Sequence, residues 1–193
     1  MPGLSSGRSG GAMARKAQPK RTASGAFPSG TIIYTTRRLG FVGAFLPSRL
    51  VVPLIVSGDR RAARFFEGLP FEPYGIAYDT TRRGCWLADK QNNRVWFVRF
   101  SGVDSISAGG EPVEEAIAYT DQSVAEPCHL DFHPQYGLLA GCYGDCGQAG
   151  AVMCYDGSTW NRLTPPDFKD HVTHCCWLPD GGYCYVTRSD WVL

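Results

Sequence analysis

Short apolar runs separated by polar turns recur along the chain from residue 73 onward. Residues 73–100 have the pattern of an apolar strand, a polar turn, a second strand ending in Ala-Asp, another turn and a third strand. Aromatic and β-branched residues dominate the runs, whereas glycine, aspartate and asparagine occupy the turns, as in short antiparallel strands. No helical periodicity of useful length follows residue 70. The pattern therefore predicts an all-β protein.

The same plan of strand, turn and strand is repeated. The segments that share it are residues 73–100, 127–157 and 171–193. Their turn glycines, Gly84, Gly137 and Gly182, lie 53 and 45 residues apart. Several short strands repeated at a period of about 45 residues are typical of β-propeller blades, whereas a β-sandwich would not repeat one plan at this spacing. We predict a β-propeller with four-stranded antiparallel blades.

We assign the propeller to residues 31–193, which have room for about three to four blades of about 45 residues each. The last repeat ends soon after its second strand, so we expect the propeller to be incomplete. A blade cannot bury both of its faces alone and depends on its neighbours. An open blade edge should therefore favour self-association.

Residues 1–30 form a basic leader that is rich in serine and glycine. The first 58 residues contain eight Lys or Arg and no Asp or Glu. This composition resembles an organellar transit peptide, and the alternative is a disordered extension. We expect a cytoplasmic protein or, if the leader targets it, a mitochondrial or plastid one. No aromatic residue is interleaved with the basic residues of the leader, so we expect no nucleic-acid partner.

Neither a membrane span nor a metal site is indicated by the sequence. The most apolar window, residues 39–58, is interrupted by two prolines and an arginine, so we expect no membrane association. Eight cysteines lie mostly within apolar runs and form no CxxC pair, which favours free, buried thiols in a reducing compartment. Cys142 and Cys146 with His133 would lack a fourth zinc ligand. We expect no metal and no cofactor.

Histidines mark the start of two of the repeats, in "PCHL" (127–130) and "HVTH" (171–174). In the register of the repeats, Gly75, His129 and His174 occupy corresponding positions near the start of the first strand. The first strand of a propeller blade lines the central channel, so a polar side chain there can face the channel mouth. These positions are therefore candidates for a ligand site.

An ordered set of motifs gives the family resemblance. It comprises "PCHL" followed by Pro134, "CYGDCGQAGAV" (142–152) and "HVTHCCWLPDGGYCYVTRSD" (171–190), with "FVGAF" (41–45) and "GIAYD…CWLAD" upstream. Over roughly residues 40–193 the chain resembles the lactonase family of seven-bladed propellers. That family includes propeller-type 6-phosphogluconolactonases and carboxy-muconate cyclases. The chain departs from the family where His-x-His becomes His171-Val-Thr-His174 and where Cys142 replaces an asparagine.

The resemblance implies hydrolysis of a sugar lactone, most specifically of 6-phosphogluconolactone to 6-phosphogluconate in the pentose phosphate pathway. Its partner would be a phosphosugar lactone. Because histidine suits both proton transfer and oxyanion binding near neutral pH, the catalytic candidates are His129, His171 and His174. Alternatively, each histidine caps a strand by bonding a backbone carbonyl. The candidates for substrate binding are Arg94, Arg188 and Asp145.

Two other functions remain open at this stage. The first is the cyclase-like isomerase chemistry of the same family, which would need several cations to hold carboxylates. The second is a non-catalytic interaction module, because "LADKQNNRVW" (87–96) is also similar to NHL-type propellers.

Overall fold

A computed structural model describes residues 27–36, 41–56, 73–144 and 149–188. Within these ranges the chain forms four antiparallel sheets and hardly any helix, which confirms the prediction of an all-β fold. None of the described helices is long and apolar enough to cross a membrane. The leader, apart from its last residues, and Asp145 lie outside the described ranges.

The strands follow chain order within each sheet. The first sheet contains β1 (Ile32–Thr36), β2 (Phe41–Phe45) and β3 (Val51–Val56). The second contains β4 (Pro73–Asp79), β5 (Gly84–Asp89), β6 (Arg94–Phe100) and β7 (Val113–Thr120). The third contains β8 (Pro127–His133), β9 (Gly137–Cys142), β10 (Ala151–Tyr155) and β11 (Trp160–Arg162). The fourth contains β12 (His171–Trp177) and β13 (Tyr183–Arg188).

Two short helical segments interrupt the second sheet. A 3-10 turn, Lys90–Asn92, joins β5 to β6, and a single helical turn, α1 (Val103–Ser107), lies between β6 and β7. Neither segment is long enough to add a layer to the fold.

The first strands of the four sheets lie side by side: β1 contacts β4, β4 contacts β8, and β8 contacts β12. A Cβ atom at Gly75 would lie only 2.8 Å from the Cα of His129, so the close approach of β4 to β8 requires a glycine. Sheets arranged face to face with their first strands adjacent are the blades of a propeller. The chain is thus a partial β-propeller, as the repeats predict.

Each blade is held by the apolar residues that it shares with its neighbours. Strand β6 shows how, because successive side chains of a strand point to opposite faces. Trp96 and Val98 belong to the core between the first and second sheets, whereas Val95 and Phe97 belong to the core between the second and third. A third core, which includes Val172, joins the third sheet to the fourth.

Buried aspartates end β4 and β5 and fix two tryptophans. The Asp79 carboxylate accepts hydrogen bonds from the Thr81 backbone N–H at 2.9 Å and from the Trp86 indole N–H at 3.1 Å. Asp89 accepts one from the Trp96 indole N–H at 3.3 Å. Asp79 thus satisfies both a turn N–H and an indole N–H, and Asp89 satisfies a second indole N–H, in the core, where an unpaired N–H would be costly. This explains why aspartate terminates both strands.

Candidate functional site

His129 and His174, two of the predicted site residues, lie close together. Their ring centroids are 4.9 Å apart, and they belong to the adjacent first strands β8 and β12. Gly75 of β4 contacts the backbone at His129 on the other side. Three corresponding positions of the repeats therefore form a row across three blades, because stacked blades bring equal registers together.

His129 is held as a neutral imidazole with a defined tautomer. Its Nδ1 atom accepts the Cys175 backbone N–H at 3.4 Å. Since a backbone N–H can only donate, Nδ1 carries the lone pair and the proton of the neutral ring lies on Nε2. Burial lowers the pKa of His129 below its ordinary value, and the neighbouring His174 lowers it further, although Asp131 opposes them. At neutral pH, His129 is thus suited to donate a hydrogen bond from Nε2.

His171 has the opposite tautomer. Its Nδ1 atom lies 2.5 Å from the carbonyl oxygen of Tyr143, and its ring stacks on that of Tyr143 with centroids 4.3 Å apart and an interplanar angle of 6°. A carbonyl can only accept, so Nδ1 carries a proton, and in the neutral ring the lone pair lies on Nε2. This contact is the hydrogen bond to a backbone carbonyl that the sequence offers as an alternative to a catalytic role for each histidine.

The residues next to His129 and His171 in the sequence form a contact between their strands. Cys128 precedes His129, Val172 follows His171, and the Cys128 Sγ atom lies 3.1 Å from the Val172 carbonyl oxygen. The short contact fixes β8 against β12 at the level of the two histidines. The site therefore lies between adjacent blades and depends on how they pack.

A lysine and a glutamate that sequence reasoning missed complete this end of the propeller. The Lys90 Nζ atom lies 4.2 Å from the Tyr143 ring centroid, 5.3 Å from that of Tyr74 and 3.1 Å from the Glu126 carboxylate. The lysine thus connects the starts of two blades through a cation–π contact and an ion pair. Through Tyr143 it also supports the ring on which His171 stacks.

Glu126 has a strained backbone. Its φ of 48° is in the left-handed region, which is uncommon for glutamate, and the residue also precedes Pro127, which restricts it further. The Glu126 N–H donates to the Asn93 side chain at 2.7 Å, and its carbonyl accepts the Tyr143 N–H at 2.9 Å. Strain that is held by surrounding bonds is concentrated at functional sites. The only sequence signal for Glu126 is that an acidic residue precedes the proline of "EPCH".

The predicted substrate-binding residues are distributed differently. Arg188 ends β13 directly opposite His171 in the strand register. Arg94 begins β6, the third strand of its blade, with its guanidinium 6.0 Å from the Trp96 ring centroid. The structure thus brings Arg188, but not Arg94, next to a strand that carries site histidines. Asp145 lies outside the described residues.

The thiols beside the histidines are not activated. Burial raises the pKa of Cys128 to about 11 and raises the pKa values of Cys142 and Cys175 further still. Such thiols stay protonated and act as weak hydrogen-bond donors rather than nucleophiles. Among the described residues, no group of three or more His, Cys, Asp or Glu side chains is arranged to hold a metal ion.

A cleft of about 480 Å³ lies away from this site, between the first and second sheets. Arg82 and Arg99 line it, but both are already engaged: Arg82 donates to the Tyr119 hydroxyl at 3.0 Å, and Arg99 pairs with Glu115 at 2.8 Å. None of the residues that line the cleft is a histidine, so the histidine end of the blades is the better candidate for a reaction that needs proton transfer near neutral pH.

Comparison with solved structures supports the fold. The chain is similar to virginiamycin B lyase from Staphylococcus aureus, with a TM-score of 0.56 and 12% identity over 83% of this chain and 46% of that chain. A catalytically inactive histidine-to-alanine variant of that lyase, with quinupristin, gives a TM-score of 0.59 and 12% identity over 88% and 50% of the two chains. A candidate gluconolactonase gives a TM-score of 0.54 and 16% identity over 84% of this chain and 53% of that chain.

The comparisons establish the β-propeller fold alone, because these identities are low. The chain spans about half the length of the structures that it matches. No protein-family model and no curated protein matches the sequence significantly.

Proposed function

We propose that the protein is a lactonase-like propeller that hydrolyses a sugar lactone, with 6-phosphogluconolactone as the first substrate to test. The observation that carries this proposal is the pair of opposite tautomers at adjacent blades. His129 presents a proton donor at Nε2, and His171 presents a proton acceptor at Nε2. Ester hydrolysis needs both, a donor for the developing oxyanion and a base for water.

The reaction follows from these roles. His171 Nε2 removes a proton from water while the water oxygen attacks the lactone carbonyl carbon. The carbonyl oxygen becomes an oxyanion that accepts a hydrogen bond from His129 Nε2–H. The tetrahedral intermediate then collapses, the ring C–O bond breaks, and the proton held by His171 passes to the departing alkoxide. Water is consumed, the open-chain hydroxy acid is released and His171 is neutral again.

The surrounding residues support this assignment of roles. Tyr143 accepts the Nδ1–H of His171 and stacks on its ring, so the imidazole has one orientation. The lowered pKa of His129, which its burial causes, keeps the ring neutral and makes it a weaker base.

Two of the structural neighbours bear on the proposal. One is a candidate gluconolactonase, and the other is a lyase that a histidine-to-alanine substitution makes inactive. Among the structural neighbours, one propeller is thus named as a gluconolactonase, and another needs a histidine for its activity. Both serve as support by analogy, and neither identifies the substrate of this chain.

The test is continuous titration of the acid released from 6-phosphogluconolactone and from the unphosphorylated gluconolactone, after subtraction of spontaneous hydrolysis. We expect turnover that falls about 10²–10³-fold in His129→Ala, the usual cost of losing one oxyanion donor, and about 10²–10⁴-fold in His171→Ala, the usual contribution of a general base. His133→Ala is the matched control, because His133 ends the strand that carries His129. Absence of turnover on both lactones, or unchanged turnover in both variants, would contradict the proposal.

A further inference from the structure

Two exposed cysteines face each other on the fourth sheet. Cys176 of β12 and Cys184 of β13 are directly opposite in the antiparallel register, and their Sγ atoms are 3.1 Å apart. Both side chains are exposed. The pair is independent of the histidine site and of the function proposed above.

The backbone at this pair already fits a disulfide. Directly opposite residues of antiparallel strands have Cα atoms about 4.5 or 5.5 Å apart. A disulfide accepts Cα separations of about 4.4–6.8 Å. The strands therefore do not have to move, and only the two sulfur atoms must approach each other to form the bond.

The other described thiols are protected by burial. Desolvation raises the pKa of the members of this group: Cys85, Cys128, Cys142, Cys154 and Cys175. The contact with Cys184 also raises the pKa of Cys176, so Cys176 differs from these thiols in accessibility and not in acidity. Reaction with an oxidant requires a thiolate that the oxidant can reach. Exposure and mutual contact occur together, among the described cysteines, at Cys176 and Cys184.

We propose that Cys176 and Cys184 form a modification site, at which a two-electron oxidant of the peroxide class converts the two thiols into an intrachain disulfide. One thiolate attacks the peroxide O–O bond and becomes a sulfenic acid, while the other oxygen leaves as water after protonation. The second thiol attacks the sulfenic sulfur, the S–S bond forms, and the sulfenic oxygen leaves as a second water molecule. Two thiols and one hydrogen peroxide thus give one disulfide and two waters.

The bond would join β13 covalently to the strand that carries His171 and His174. In the described part of the chain, β13 is the strand that hydrogen-bonds to β12. The disulfide would hold the register of this hairpin at the edge of the described propeller. It would not alter the thiols that lie between blades.

Peptide mass spectrometry of the native protein tests the site. The reduced protein is treated with hydrogen peroxide, the remaining thiols are alkylated under denaturing conditions, and the peptides are analysed without reduction. We expect a peptide that contains the Cys176–Cys184 link and has lost two hydrogens, with two fewer alkylated thiols per chain. Recovery of both cysteines separately, as alkylated or sulfinic forms, would overturn the proposal, as would a link between two chains.

Three variants sharpen the result. Cys176→Ser and Cys184→Ser should each abolish the linked peptide, and the remaining cysteine should be recovered as an unlinked form. Cys128→Ser is the control, because Cys128 is half-buried and donates to backbone carbonyls of adjacent strands. It should leave the link unchanged. Loss of the link in Cys128→Ser, or its persistence in either serine variant of the pair, would contradict the assignment.

Discussion

His171 and Tyr143 are joined in two ways. The imidazole Nδ1 lies 2.5 Å from the tyrosine backbone carbonyl, and the two rings lie parallel, 4.3 Å apart. The pair connects the end of β9 to the start of β12, so it joins the third blade to the fourth. The same contact that fixes the imidazole for chemistry therefore also supports the packing of the blades.

The two roles of His171 can be separated by comparing Asn and Ala. An asparagine amide can donate to the Tyr143 carbonyl as Nδ1–H does, whereas alanine leaves that carbonyl without its donor. We expect His171→Ala to lower the free energy of unfolding by about 1 kcal/mol. The loss of unfolding free energy should be clearly smaller in His171→Asn. Urea denaturation of both variants measures this, and equal losses would contradict a structural role for the bond.

The lowered pKa of His129 predicts a pH dependence of stability. Because the folded state binds this proton more weakly than the unfolded state does, protonation favours unfolding. The contribution of His129 is therefore complete above the unfolded pKa of about 6.5 and decreases as the pH falls through that value.

Melting temperatures between pH 8 and pH 5 test this dependence. In His129→Asn the amide oxygen can still accept the Cys175 N–H, but the side chain does not titrate. We expect the melting temperature of the native protein to fall relative to that of this variant as the pH falls below about 6.5. A difference that is constant over this range would show that His129 is not desolvated in the folded protein.

Asp79 should contribute more to stability than an exposed aspartate in a similar turn. In Asp79→Asn an amide N–H would replace the oxygen that accepts the Trp86 indole N–H, and a buried donor would lose its acceptor. We expect a loss of about 1–3 kcal/mol in the free energy of unfolding. The matched control is Asp121→Asn, because Asp121 makes a similar turn bond to Ser123 at the surface. Comparable losses in the two variants would contradict this explanation.

Self-association through an open sheet face remains a proposal, and a row of exposed residues gives it a specific form. Ile32, Phe45 and Val51 are directly opposite one another across the first sheet, with 60%, 40% and 48% of their surfaces exposed. Exposed apolar side chains in a continuous row are typical of a contact surface, so we propose that a second copy of this chain covers this row.

Sedimentation velocity tests that proposal. We expect a concentration-dependent dimer that Phe45→Ser weakens at least tenfold. Tyr78→Ser is a control, because Tyr78 is also exposed but belongs to the second sheet. A monomer at all concentrations, or a dimer that responds equally to both substitutions, would contradict the proposal.

The repeat pattern predicted the blades and the row of Gly75, His129 and His174, because both follow from strand spacing alone. The family resemblance identified "FVGAF" as a first-blade strand, and in the structure β1 precedes it. Lys90 and Glu126 could not be found in this way. They occupy turns, and their contact depends on how two blades pack. The tautomers of His129 and His171 were equally inaccessible, because they depend on backbone partners in other strands.

The rate of lactone opening by His171→Asn tests the central claim most directly. This variant can keep the bond to the Tyr143 carbonyl but has no nitrogen at the position of Nε2 that can accept a proton. We predict a fold of nearly native stability and a turnover of 6-phosphogluconolactone that is about 10²–10⁴-fold below that of the native protein. A folded variant with native turnover would contradict the claim that His171 is the base.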